Sequence, residues 1–223
     1  MIMLLTETIK KSTSAIKTRR AAIENKQSAE AFARALAQLA QACDNIKNTL
    51  DCAEALKSNG IVSAPILDAT LRSELLECID NCGNGVNDVT LKLDAVLLLK
   101  SKGDAVASHM KIVWQDASRK YSEGSKGYLS MIGGLSDDPR RAKELAENIT
   151  RAVEGAPTIK NIQGLVSNVA EAKQITDGFA LNKEIELFLK KVSAQQATVL
   201  DLTPTILDWL RDKHLTTKLK IRF

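Results

Sequence analysis

Proline, aromatic residues, histidine and long apolar runs are all scarce in this chain of 223 residues, and each scarcity removes a class of protein. With four prolines, none of them between Pro65 and Pro139, long stretches carry nothing that breaks a helix. Aromatics make up only 4% of the residues, too few for an ordinary sheet core. The most apolar run, Ala95 to Leu99, is far short of the roughly 18 residues that span a bilayer, and the opening MIMLL gives way at once to Thr6, Glu7 and Thr8. A soluble, cytoplasmic protein is the expectation. The two histidines, His109 and His214, stand in no spacing that builds a metal pair or a nucleophile and its base. Gly83 to Gly85 and Gly124 to Gly127 lack the strand and the fingerprint of a phosphate cradle. Neither an enzyme nor a cofactor is expected.

What is abundant is Ala, Leu, Lys, Glu and Gln, residues that lose little side-chain freedom in a helix, so the fold class is all-α. From Ser28 to Asn59 the apolar positions Phe32, Leu36, Leu39, Cys43, Ile46, Leu50 and Ala53 alternate steps of four and three. That is the spacing of a seam between paired helices. A thinner row, Ile2, Ile9, Ile16 and Ile23, precedes it with Leu5, weakened by Ser12 and Arg19. A near-continuous helix from about residue 4 to 58 is favoured over a break at Ser28, and Gly60 closes it.

Ser63 and Pro65 suggest the next helix start. Its seam runs Leu71, Leu75, Cys78, Cys82, Val86, Val89, Leu93 and Val96, with a stutter at Gly83 and Gly85, and its register projects to Met131. One helix over 65–131 is the leading expectation, a turn at Gly103 the alternative. Ser136, Asp137, Asp138 and Pro139 announce another helix, interrupted at Gly155 to Pro157 and at Asp177 and Gly178. Leu181, Ile185, Phe188, Val192, Gln195, Val199 and Leu202 then repeat the seam spacing. Thr203 and Pro204 open a short amphipathic helix, and KLKIRF alternates charged and apolar residues as a strand does.

The expected architecture is an elongated antiparallel bundle or coiled coil of three long, partly broken arms, about 1–58, 65–131 and 138–202, each roughly 85 to 100 Å if straight. Residues 203–223 add a short helix and an extended tail. A compact bundle of six or seven shorter helices is the alternative.

Function is read from this form: a non-enzymatic scaffold or accessory subunit that binds a protein partner or itself. Partner contacts are expected at Trp209, Leu219, Ile221 and Phe223, the last three able to add to a sheet edge. Basic residues at the two ends, Lys10, Lys11, Lys17, Arg19 and Arg20, then Lys218, Lys220 and Arg222, make nucleic acid the alternative partner. A membrane-active or pore-forming helical protein is the second alternative. Folding about residue 62 sets Cys43 opposite residue 81, near Cys78 and Cys82. Core packing is the favoured role of these thiols, and a metal, for which no histidine supplies a fourth ligand, or redox sensing is the lesser one.

Overall fold

A computed structural model describes residues 2–218, with side chains from residue 17 onward, Ala22 excepted. Among the described residues the fold is all-helical, with seven α-helices packed against one another and no strand. Helix α1, Ile2–Ser58, is one unbroken helix through Ser28. Gly60 closes it in the left-handed region at φ +67°, and the Ile61 amide reaches back to the Leu56 carbonyl at 3.0 Å. Only glycine takes that conformation without strain, which is why this end was legible.

The second arm differs from expectation. Helix α2, Ala69–Asn87, starts after Pro65 rather than at it, because the Asp68 carboxylate accepts from the Leu71 amide at 2.7 Å and caps the first turn. It ends at Asp88, and Val89 takes the left-handed conformation at φ 57° while the Thr90 amide bonds the Gly85 carbonyl at 2.8 Å. Helix α3, Leu93–Ile132, follows. Residues 65–131 are therefore two helices, and the break lies at 88–92, not at Gly103. Gly83, Gly85 and Gly103 all stand inside helices. Gly85 is close to the Leu91 backbone and Gly103 close to Ile46, so two of these glycines serve packing instead of ending a helix.

Helices α4 (Pro139–Glu154), α5 (Ile159–Gly178), α6 (Lys183–Ser193) and α7 (Pro204–Asp212) complete the chain. Asp138, Thr158, Asn182 and Thr203 cap them in turn, each accepting from the amide three residues on. The seam expected to run from Leu181 to Leu202 stops at Ser193. Gln195 turns left-handed at φ 57°, and Val199–Asp201 forms a separate single turn.

The described chain divides into two compact units. The first combines Met1–Leu50 with Leu67–His109, around Ile46, Leu75, Cys78, Cys82, Val96 and Leu99. The second combines Asp51–Ile66 with Met110–Phe223 and holds two clusters. One surrounds Trp114, whose indole N–H donates to the Gly155 carbonyl at 2.9 Å, with Leu56, Leu145, Ile149, Ile162 and Leu165. The other gathers Ile132, Phe188, Leu189, Ile206, Leu210 and Trp209. Each such side chain, fully buried, contributes about 1.5–3 kcal/mol relative to exposure. Trp209, expected at a partner surface, is thereby corrected to a core residue: it is buried and its indole donates to the Phe179 carbonyl at 2.7 Å.

Candidate interaction surfaces

Within the first unit, α1 buries a different row from the one its large side chains suggest. The packed positions are Phe32, Ala35, Leu39, Ala42, Ile46 and Thr49. Ala35 and Ala42 are 1% and 4% exposed, whereas Leu36 and Leu50 are 42% and 39% exposed and Cys43 is also at the surface. The seam keeps Phe32, Leu39 and Ile46 and rotates by one residue at its other positions, from Leu36, Cys43 and Leu50 to Ala35, Ala42 and Thr49. Small side chains allow a neighbouring helix to approach closely, and at that distance leucine at the same positions would overfill the interface. Gly103 on α3 meets Ile46 in the same way. The outcome is a second row, Leu36, Cys43 and Leu50, seven residues apart and exposed beside the packed one.

The same unit carries a cleft of about 800 Å³ between Ser28 to Gln38 of α1 and Val89 to Asp94. Phe32 forms part of its wall, and Val89 and Leu93 leave much of their apolar surface exposed beside it. In the second unit a cleft of about 500 Å³ between α3 and α4 is lined by Arg119, Glu123, Lys126 and Glu154, with Ser122 and Thr150 between them. Its charges are mixed in sign. A third feature was not foreseen. Leu200, on the single turn before α7, is 94% exposed. The Asp201 carboxylate accepts from the Thr198 amide and hydroxyl and pairs with Lys191, fixing the turn that presents Leu200. Reading Val199 and Leu202 as seam positions concealed it; the Thr198-to-Asp201 capping pattern was the signal available.

The thiols sort by burial. Cys78 and Cys82 lie in the first core and Cys52 in the second. Burial pushes the Cys82 thiol up, and the neighbouring Cys78 and Cys43 add to the shift. Cys43 stays at the surface. Cys52 is likewise raised by burial, partly offset by a backbone hydrogen bond from Ile159. No group of three or more Cys, His, Asp or Glu side chains among the described residues is arranged to hold a metal ion.

The other shifted groups are tied into pairs that join helices. Arg141 on α4 holds Glu171 on α5 through two contacts, 2.7 and 2.6 Å, and lowers its carboxyl. The Tyr128 hydroxyl donates to Glu186 at 2.8 Å, and that bond raises its ionisation. Lys102 bonds Glu74 at 2.7 Å across α3 and α2. Asp201 is lowered to about 2, first by Lys191 and then by the Thr198 amide.

Among the basic residues singled out, Lys17, Arg19 and Arg20 are exposed on α1, and the side chains of Lys10 and Lys11 lie outside the described set. Lys218 is engaged: its ammonium donates to the carbonyls of Leu135 and Ser136, at 3.1 and 3.4 Å, and to the Asp137 carboxylate at 3.0 Å. These contacts tie the residues after α7 to the α3–α4 connection. Leu219, Lys220, Ile221, Arg222 and Phe223 lie outside the described residues. No described helix is long and apolar enough to cross a membrane.

No protein-family model matches the chain, no curated protein matches it, and no solved structure matches its fold.

Proposed function

We propose that the chain is a non-enzymatic helical scaffold or accessory subunit that joins a larger intracellular assembly through coiled-coil contacts along α1, with the C-terminal Leu219, Ile221 and Phe223 as a second docking element. The observation that carries this reading is the exposed row Leu36, Cys43 and Leu50 beside the packed row of the same helix. A heptad-spaced apolar row on an already folded helix is the form another helix recognises. Leu200, held out on its capped turn, offers a further apolar contact. The shifted ionisable groups are accounted for by pairs between helices or by burial, which fits a structural role better than acid-base chemistry.

The test uses the exposed thiol. Cys43 in the full chain is coupled to a photo-crosslinker, with Cys52, Cys78 and Cys82 protected by burial, and the adducts formed in an extract of the native host are compared with those of Leu36→Ser/Leu50→Ser. The reading expects a defined adduct that disappears in the double variant while helicity is unchanged. An adduct that persists undiminished refutes a role for this row. Removing Leu219 to Phe223 tests the second element: partner capture should weaken with little change in Tm.

A further inference from the structure

Between Thr8 and Ile23 the chain has five cations, Lys10, Lys11, Lys17, Arg19 and Arg20, and no acidic residue. This stretch belongs to α1, and every described side chain from residue 17 to 31 is exposed. Ile23, a large apolar residue, is 54% exposed there. At about 100° per residue, Leu5, Ile9, Ile16 and Ile23 fall within about 40° of one another around the helix. Arg20 and Lys17 step away from that stripe on one flank, and Arg19 and Lys26 on the other. The register thus places a narrow apolar stripe between two cationic flanks.

We infer that this first part of α1 lies on anionic lipid surfaces, with the isoleucine stripe at the boundary of headgroups and acyl chains and the flanking cations on lipid phosphates and carboxylates. Long basic side chains on either side of an apolar stripe can bury their stems while keeping their charges among the headgroups. Two other polyanionic partners fit less well. A nucleic-acid backbone would engage the cations but leaves the exposed Ile23 and the apolar register it belongs to without a role. An acidic partner helix needs a second seam row, and the positions three residues after each isoleucine are Leu5, Ser12, Arg19 and Lys26, polar in three cases of four. A lipid interface needs only the single stripe. The contact is peripheral, in keeping with the absence of a membrane-crossing helix among the described residues.

The experiment is co-sedimentation of the full chain with vesicles of phosphatidylcholine alone and of phosphatidylcholine mixed with phosphatidylserine, at low and high salt. Binding is expected only to the mixed vesicles and should weaken as salt rises. Lys17→Gln/Arg19→Gln/Arg20→Gln should weaken it on the order of 100-fold. Ile16→Ser/Ile23→Ser should weaken it about tenfold or more. Circular dichroism of each variant establishes that α1 is retained. Absence of binding to the mixed vesicles at low salt overturns the inference. So does a serine variant that binds like the parent while duplex DNA competes fully, since that is charge attraction alone. Crosslinking through Cys43 is unaffected by these substitutions, so failure here and failure of the scaffold reading are separable.

Discussion

A β-carbon on Gly103 would sit 2.7 Å from Cγ1 of Ile46 and 3.1 Å from its Cδ1. The glycine that looked like a possible turn instead lies inside α3, packed against Ile46 of α1 in the first unit. Gly103→Ala gains helix propensity of about 1 kcal/mol and incurs overpacking of about 1–3 kcal/mol, so net destabilisation is expected in chemical denaturation. The loss should be non-additive with Ile46→Ala, which removes the atoms in conflict. Gly83 has no atom within 4 Å of an added β-carbon, and Gly83→Ala should stabilise by about 0.5–1 kcal/mol. If both alanine variants behave alike, the close approach is wrong.

Val89 closes α2 at φ 57° and is 69% exposed. A β-branched residue is poorly suited to that conformation, and little packing holds it. Val89→Gly should raise stability by about 1 kcal/mol, whereas Val89→Pro, whose ring cannot reach positive φ, should destabilise more strongly. The denaturation midpoint measures both. A loss of stability in the glycine variant would mean that Val89 packs more than its exposure indicates.

The rotated seam of α1 has its own signature. Ala35→Leu puts a large side chain into a position that is 1% exposed and should cost about 1–3 kcal/mol. Leu36→Ser, one residue along, should cost under about 1 kcal/mol. Reversed magnitudes would restore the row read from the large residues.

Asp201 supplies a pH test. Its ordinary carboxyl value is 3.8, and the Lys191 ammonium with the Thr198 amide holds it at about 2 in the folded chain. Because the folded value is the lower one, the contribution of this turn is fully present above the ordinary value and disappears as pH falls through about 2. The Thr198 amide proton, followed by NMR, should titrate with a midpoint near that lower value. A midpoint close to 3.8 would show that the capped turn is not maintained in solution.

Legibility of the fold followed the range of the interactions. The Asp138–Pro139 and Thr203–Pro204 helix starts and the Gly60 closure were readable because each depends on a few adjacent residues satisfying their own amides and carbonyls. The ends at Val89 and Gln195 were not, since both take a left-handed conformation without the glycine that normally marks it. Of the proposed site residues, Cys43 was singled out in the sequence, as a seam residue and as a lesser metal-ligand candidate. Leu36 and Leu50 were placed in the core, and Leu200 had no assigned role.

Two levels of determination therefore separate cleanly. The residues by themselves determined that this protein is helical and that α1 carries heptad-spaced apolar positions, because propensity, capping and periodicity act over one or two turns. Only the tertiary structure decided which adjacent row of α1 is buried and where α2 ends. Burial depends on how closely another helix can approach, and at Ala35, Ala42 and Gly103 small size outweighed hydrophobicity. Leu36, Cys43 and Leu50, whose heptad spacing reads as a buried seam, are thereby left at the surface.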